Sequence, residues 1–444
     1  MRSKTMGSLM ALLTVIMLVA AACSSEPAAD DTTTTSTTEG VVDTTTTTAA
    51  EEPAEPAEPT TIRYFTFSAA PDHLEDLDAM IAGFEAENPD VKVEVETAPF
   101  DDYFTLLQTQ VAGGDAPDAF ELNFENFVSF ATKGVLADMT DAIGADADFD
   151  AGAYYQPALE AFGIDGAQFA LPESYSTVML VYNKDLFDDL GLDYPTADWK
   201  WADESATAAS IAASADDQWG FFAGLHYWEF YKTAAQNGCG IFGDDGSVTI
   251  NDPGCVEALE FMIDYVDTGS QPTAAEMGGV SDGDMFLNGE LGMLTTGIWM
   301  FSAFEAAEFA WDVVVEPGNT QGGSHFFANG VAVSADSDKQ DAAFRWLRYF
   351  TSNGDAAKIR VDAAWELPTL TDSSLYEAYL QATPPDNRQA VLDSLENVVV
   401  PPVIERQAEL QDLVNLQIER AVAGELSAQD ALDEAAAGIE ELIE

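Results

Sequence analysis

Apolar runs and amphipathic stretches alternate along the chain from residue 61 onward. Short apolar or alternating segments at 62–67, 91–95 and 118–122 predict strands, and apolar residues with helical spacing at 74–87 and 104–111 predict the helices between them. A strand-helix order of this kind indicates parallel strands that are covered by helices on both faces. The pattern therefore predicts an α/β fold.

One later strand is predicted from an unbroken apolar sequence. Residues 178–182 stand between Leu171-Pro172 and the polar segment 183–185, which is typical of a strand buried on both faces. Asp185 is placed to cap the helix that follows. Such a strand either belongs to an ordinary core or joins two lobes and lines the gap between them, and the pattern leaves both possibilities open.

The second half of the chain continues the alternation. Residues 327–334 repeat the buried-strand pattern and are predicted to form a second crossing strand. Further strands are predicted at 219–223, 291–295 and 311–316, a hairpin at 243–250, and helices at 256–266, 341–350, 404–423 and 428–442. We expect the glycine-rich loop at 322–325 to be flexible.

Three segments resemble family 1 extracellular solute-binding proteins, the maltose-binding-protein-like sugar receptors of ABC importers. The proline-aromatic segment that ends in residues 182–186, Tyr-Asn-Lys-Asp-Leu, resembles the family's first crossing between lobes. The run Gly-Gly-Asp-Ala-Pro-Asp at 113–118 resembles its opening pattern. Gly297-Ile298-Trp299 after a strand is the most specific match. The resemblance extends over about residues 61–444.

This resemblance implies a two-lobed periplasmic-binding-protein type II fold. Each lobe would contain a mixed sheet flanked by helices, and a hinge of several strands would join the lobes. The first lobe would comprise residues 61–177 and 331–378, and the second lobe residues 182–328 and 382–444. The hinge would lie near 176–182 and 328–333.

Candidate ligand contacts in the first lobe follow from the sheet rule that ligands bind beyond the carboxyl ends of parallel strands. This rule selects Ser68 after the first strand, and Glu121 and Asn123 at the end of the third. Family members often carry a sugar-stacking aromatic at the position of Glu121, so the carboxylate here implies hydrogen bonds to hydroxyls. The resemblance implies three weaker contacts near the crossings: Tyr175, Asn329 and Trp365.

Candidate contacts in the second lobe are aromatic. Residues 225–231 form the densest aromatic patch, and the resemblance places Tyr227 where receptors for linear sugars have a stacking ring, with Trp228 as its neighbour. A core helix filled with aromatic side chains is the alternative. Trp299 would offer its indole face to the apolar C–H face of a sugar ring. A buried structural tryptophan is the alternative at that position.

The N-terminus has the features of an export signal. Residues 1–22 combine a basic start with an apolar core that is shorter than a membrane span of about 20 residues. Ala20-Ala21-Ala22-Cys23 resembles a bacterial lipobox and implies a lipid on Cys23; an ordinary secretory cleavage is the alternative. Residues 23–60 are rich in threonine, proline and acidic residues, so we expect a disordered tether.

Two further cysteines, Cys239 and Cys255, fall in one segment of the exported part of the chain. We predict that they form a disulfide, and two free thiols are the alternative. The three histidines form no cluster with them, and the acidic turn near residue 244 lacks the glutamate spacing of an EF-hand. We therefore predict neither a metal site nor a cofactor.

Acidic side chains outnumber basic ones by 79 to 16, which gives the 444-residue chain a formal net charge of −63. Such a field repels nucleic acid and anionic membranes, so we exclude both as direct partners and allow membrane contact only through the lipid. Dense carboxylates favour adaptation to high salt, where counter-ions screen their repulsion. An acidic protein without that adaptation is the alternative.

Together these features predict an extracytoplasmic receptor. It would capture a mono- or oligosaccharide between two lobes and deliver it to the permease subunits of an ABC importer. We expect a monomer, lipid-anchored to the outer face of the cytoplasmic membrane, without catalytic residues, because no GxSxG, HExxH or P-loop fingerprint is present. Two alternatives stay open: the same fold with a polyamine or peptide ligand, and a secreted carbohydrate-active enzyme.

Overall fold

A computed structural model of the chain describes residues 58–69, 73–243 and 245–443. The predicted export signal, Cys23 and nearly all of the predicted tether lie outside the described residues. The first half of the described chain contains these elements in order: β1 (Thr60–Thr66), α1 (Leu74–Glu87), β2 (Val91–Thr97), α2 (Phe100–Gly113), β3 (Ala119–Asn123), α3 (Phe124–Thr132), α4 (Thr140–Ala145), α5 (Gln156–Ala161), β4 (Gly163–Ile164), β5 (Ala167–Gln168), β6 (Ala170–Asn183), α6 (Lys184–Leu190) and α7 (Trp201–Ala212).

The second half continues with longer helices near its end. Its elements are α8 (Tyr227–Gln236), α9 (Pro253–Asp267), α10 (Ala274–Met277), α11 (Asp282–Leu287), β7 (Met293–Gly297), α12 (Phe301–Phe304), β8 (Trp311–Val314), β9 (Ser324–Val333), α13 (Gln340–Ser352), α14 (Gly354–Asp362), β10 (Leu367–Pro368), α15 (Glu377–Gln381), α16 (Gln389–Asp393), β11 (Val398–Val399), α17 (Gln407–Val422) and α18 (Ala428–Ile443).

The opening strands form the predicted parallel sheet. Strand β1 lies between β2 and β3 and pairs in parallel with both, which confirms the sequence prediction. The bounds of α1 agree with the predicted helix, because its apolar residues recur with helical spacing and Leu77, Met80, Ile81 and Phe84 are buried. We call the part of the chain around β1–β3 the first lobe.

Strand β6 belongs to two sections of sheet, because its two halves pair with different strands. Its residues 170–177 pair with β9, whereas residues 178–183 pair with β7 and β8. Strand β9 continues into the first lobe by pairing with β3, and β11 adds a short parallel pairing to the start of β9. We call the part around β7 and β8, with helices α8, α9, α17 and α18, the second lobe. The chain therefore has a two-lobed α/β fold joined by crossing strands, as predicted.

Several local predictions are wrong. Asn183, not Asp185, caps α6, because the Asn183 side chain accepts a hydrogen bond of 3.0 Å from the backbone of Leu186. Residues 219–223 form only an isolated bridge from Trp219 to Leu291 instead of a strand. The predicted hairpin is present but short, because its antiparallel pairing is limited to one bridge between Phe242 and Val248 and the backbone hydrogen bonds beside it.

The predicted flexible loop is also partly wrong. Its last two residues, Ser324 and His325, are buried at the start of β9. Sheet pairing with β11 explains this difference, since it satisfies backbone groups that an isolated loop would expose to water.

The second lobe contains the predicted disulfide pair. Cys239 and Cys255 are bonded, with their Cα atoms 5.4 Å apart. The bond links the segment after α8 to the first turn of α9, and Cys255 is fully buried. Within the described part of the chain, no helix combines the length and the apolar character that crossing a membrane requires.

Candidate functional site

Glu121 supports the loop that carries Ser68. Its Oε2 accepts hydrogen bonds from Thr66 Oγ1 at 2.6 Å and from the backbone amides of Phe67 and Ser68 at 3.0 and 3.1 Å. The carboxylate is fully buried, so it does not reach the surface between the lobes as the sequence predicted. Ser68 remains partly exposed at the end of β1, where it can meet a ligand.

Three buried carboxylates meet beneath this loop. One oxygen each from Glu121, Glu173 and Glu366 lies within 4.8 Å of the others. Burial, followed by repulsion from Glu366, raises the pKa of Glu121 to about 7. Arg360 donates to Glu173 at 3.2 Å and supplies a counter-charge. The donor set resembles that of a cation site, but the arginine and the hydrogen bonds make structural support its simplest role.

Asn329 and Trp365 also belong to this support. Asn329 Nδ2 donates to Glu366 at 2.9 Å, and both side chains are buried. Trp365 is buried with its ring stacked on His73 at 4.9 Å, and the Arg360 guanidinium lies 4.2 Å from the indole ring. Both side chains are buried in this structure, so their predicted contact with a ligand stays a prediction.

Tyr175 and Asn123 lie where the sequence placed them, on a crossing strand and at the end of β3, and both side chains make contacts within the protein. Tyr175 is stacked on Phe326 at 5.7 Å, whereas the neighbouring Phe327 contacts Trp299 at 5.9 Å. Because successive residues of a strand face opposite sides, Tyr175 lies on the side away from Trp299. A mainly apolar cavity of about 100 Å³ lies on that side, lined partly by Phe326 and Val398. Asn123 is buried and caps α3 by accepting from the backbone of Asn126 at 3.2 Å.

Trp299 is the most accessible of the predicted contacts. Its side chain is 39% exposed, immediately after β7. The indole lies directly over Gly297, where a Cβ atom would approach within 1.8 Å of the ring, so the glycine is required for this ring position. An exposed indole held in place by a glycine turn can stack on a flat apolar surface of a ligand.

Tyr227 and Trp228 are adjacent but differ in environment. Tyr227 is fully buried in the helical core of the second lobe, and its hydroxyl donates to the carbonyl of Pro402 at 3.0 Å. In this structure Tyr227 occupies the core position that the sequence left open as the alternative to a stacking ring. Trp228 is partly exposed, and its ring lies 6.5 Å from that of Phe100 in the first lobe. Trp228 thus reaches the gap between the lobes.

Several residues at this gap were not selected from the sequence. The sequence predicted the second helix from residue 104, but α2 begins at Phe100, whose exposed ring lies 6.5 Å from that of Trp228. Ser176 pairs across the crossing strands with Phe327, and its buried hydroxyl has no hydrogen-bond partner among the described residues. Glu125 follows β3 and is buried near Trp228; burial raises its pKa to about 7. The sequence gave only weak indications that these residues face the gap. Phe100 simply follows Pro99, Ser176 lies within the crossing strand, and Glu125 follows the third strand.

Comparison with known proteins identifies one consistent group. The family described as bacterial extracellular solute-binding protein matches residues 70–357. A galactooligosaccharide-binding protein of Bacillus subtilis is 25% identical over 370 residues, which cover 80% of this chain and 84% of that protein.

Solved structures agree with this match. An ABC substrate-binding protein from Listeria monocytogenes in complex with cycloalternan is 47% identical with a TM-score of 0.85, and the alignment covers 87% of this chain and 99% of that one. The GacH receptor of Streptomyces glaucescens has the same fold, with a TM-score of 0.76 at 23% identity over 87% of this chain and 99% of that one.

Proposed function

Because the chain belongs to the bacterial extracellular solute-binding proteins, we propose that it is an extracytoplasmic receptor that captures a carbohydrate between its two lobes and delivers it to an ABC importer. The exposed indole of Trp299 is the observation that carries this proposal most directly. Aliphatic C–H groups of a pyranose pack on an indole face, while its hydroxyls require polar partners nearby.

Polar groups stand close to this aromatic surface. Ser176 lies opposite Phe327, which contacts the Trp299 ring, and the buried Ser176 hydroxyl has no hydrogen-bond partner among the described residues. We assign Ser68, Trp228 and Trp299 to direct contact, and the buried Ser176 to the layer behind them. We assign Glu121, Asn123, Asn329 and Trp365 to the support of the site, and Tyr175 and Tyr227 to the surrounding structure.

Closure of the lobes follows from the same geometry. A ligand held by Ser68 in the first lobe and Trp299 in the second binds best when the lobes meet, and so it stabilises the closed state. The residue boundaries predicted for the lobes and the hinge belong to this proposal. A binding role also explains the site without a catalytic group, since the buried carboxylates are engaged in hydrogen bonds and ion pairing.

We extend the proposal to the location of the protein. The lipobox-like segment 20–23 and the polar segment 23–60 are consistent with a lipid on Cys23 and a flexible tether. The receptor would then stay on the outer face of the cytoplasmic membrane, as a monomer beside its permease. The net charge of −63 supports adaptation to high salt.

The choice of sugar follows from the relatives. The Listeria monocytogenes structure contains cycloalternan, and the Bacillus subtilis relative is named for galactooligosaccharides. We therefore propose an oligosaccharide as the ligand, with cycloalternan the first compound to test. A polyamine has less support, because the Glu121 carboxylate that would pair with an amine is buried and bonded to its own loop.

A thermal-shift panel of mono- and oligosaccharides and polyamines tests this function. A ligand at 100-fold over its dissociation constant should stabilise the protein by about 2.7 kcal/mol. Trp299→Ala should abolish the sugar-dependent shift. Tyr155→Ala is the matched control, because Tyr155 is a similarly exposed aromatic that lines the cavity on the opposite side of the crossing strands. A shift with polyamines alone, or an unchanged sugar shift in Trp299→Ala, would reject the proposal.

A further inference from the structure

Phe100 is an exposed aromatic ring with rigid support. It is 41% exposed at the first residue of α2. Its ring contacts those of Phe67 and Phe104, with centroid distances of 5.2 and 5.5 Å. Phe67 and Phe104 also contact each other at 5.7 Å. The three rings form a compact wall, and all of them belong to the first lobe.

The wall continues across the gap into the second lobe. The Phe100 ring lies 6.5 Å from the ring of Trp228, at an interplanar angle of 60°. Behind Trp228, its backbone carbonyl lies 2.8 Å from Nε2 of His325 on strand β9. The aromatic surface of the first lobe therefore meets the second lobe at Trp228.

A chain of contacts through the buried His325 connects Trp228 to Trp299. The His325 ring is stacked on Phe327 at 4.9 Å and 15°, and Phe327 lies 5.9 Å from Trp299. Phe327, His325 and Trp228 thus separate the two exposed ends of the row, Trp299 and Phe100. This row has an accessible aromatic ring at each end, and it is longer than the single sugar ring that one aromatic side chain can stack on.

Exposing a phenyl ring to water is unfavourable, and exposed apolar surface next to a cleft marks a binding region. A single sugar ring that stacks on Trp299 leaves Phe100 without a partner, because the contacts that connect the two rings pass through Phe327, His325 and residue Trp228. A chain or cycle of several sugar rings can contact both ends at once. The spacing of the aromatic row therefore favours a ligand with more than one ring.

We propose that Phe100, with Trp228, forms a second sugar-stacking position, and that Phe100 makes the receptor selective for oligosaccharides over monosaccharides. This inference rests on the proposed carbohydrate-binding function. It assigns different roles to the two ends: Trp299 contacts a sugar ring in every ligand, whereas Phe100 contacts a ring that only longer ligands possess.

Affinity measured against ligand length tests this assignment. The full chain and its Phe100→Ala, Leu106→Ala and Trp299→Ala variants are titrated calorimetrically with glucose, with malto-oligosaccharides of two to four units and with cycloalternan. Phe100→Ala should lower the affinity for the longer ligands by about tenfold and leave the affinity for the shortest bound ligand unchanged. Leu106→Ala is the matched control, because Leu106 is 46% exposed on the same helix. Leu106→Ala should have the wild-type affinity for ligands of every length. Trp299→Ala should have a lower affinity for all of them.

The outcomes separate the two proposals. If the wild type binds oligosaccharides and Phe100→Ala binds them equally well, the second stacking position is wrong while the receptor function stands. An equal loss for ligands of every length would also overturn it, because Phe100 would then act on the whole site. Phe100→Tyr should restore the preference for longer ligands, since it keeps the ring. If the wild type binds no sugar, the proposed function fails together with this inference.

Discussion

Glu125 shows at the scale of one residue how the lobes meet. It lies in the first turn of α3 in the first lobe, and its carboxyl group is buried near Trp228, Tyr227 and Tyr231 of the second lobe. Desolvation raises its pKa from the ordinary value of 4.5 to about 7, and the contact with Trp228 offsets only part of this increase. Between pH 4.5 and about 7, the Glu125 carboxyl group is therefore more protonated in the folded protein than in the unfolded chain.

We predict that Glu125 makes stability fall as the pH rises from 4.5 to about 7. Below this range the group is protonated in both states, and within it the folded state binds more protons than the unfolded state. The loss is at most about 3 kcal/mol. Urea unfolding of the wild type and Glu125→Gln across this range measures it, and the variant should gain stability relative to the wild type as the pH rises.

The exposed Glu419→Gln provides the control for general charge effects, because Glu419 lies on the surface of α17. It should follow the wild-type pH dependence. Parallel pH curves for the wild type and Glu125→Gln would contradict the assignment of a proton to Glu125 in the folded state.

The types of residues in the sequence indicated the region of the candidate site, but they did not show which side chains face the gap between the lobes. Trp299 could be selected because a glycine two residues earlier and a preceding strand restrict its position locally. Glu121 and Trp365 could not be separated from true contacts, since their burial depends on Thr66, Arg360 and His73, which are distant in sequence. Long-range packing decides which polar or aromatic side chain faces the gap.

At the scale of elements, the crossing strands β6 and β9 determine how the lobes are joined. Their central apolar residues were predictable, because buried strands have unbroken apolar sequences. The full length of β6, from Ala170 to Asn183, was not predictable, since Pro172, Glu173 and Ser174 resemble a loop. A change of register between Pro172 and Ser174 accommodates the proline within the sheet.

Gly330 provides a test of this packing within β9. A Cβ atom at this position would lie 2.7 Å from the ring of Phe162, a fully buried side chain. We predict that Gly330→Ala destabilises the protein by about 1–3 kcal/mol, because the ring must move within a filled core. Denaturant unfolding measures the change.

Gly354→Ala is the matched comparison for this substitution. Gly354 begins α14, and a Cβ atom there meets nothing within 4 Å. Its effect should be neutral or slightly stabilising, since alanine restricts the unfolded chain. Equal unfolding curves for the two variants would show that the Gly330–Phe162 contact does not constrain the crossing strand.

At the scale of the whole molecule, the two-lobed architecture followed from the order of strands and helices and from the family resemblance. The parallel β2–β1–β3 arrangement agrees with the alternation of elements in the sequence. The contact between Phe100 and Trp228 could not be predicted, because it joins residues of different lobes and exists only where the lobes approach each other. The sequence thus predicted the receptor fold, while the aromatic row required the three-dimensional structure.

The central claim is that one oligosaccharide binds between the lobes against Trp299. Isothermal titration calorimetry of the purified protein with cycloalternan and malto-oligosaccharides in molar salt tests it most directly. We predict one bound oligosaccharide per chain, a negative heat-capacity change from burial of the aromatic surface, and loss of binding in Trp299→Ala. The absence of binding heat at several temperatures for every oligosaccharide, or binding that Trp299→Ala leaves unchanged, would contradict the account.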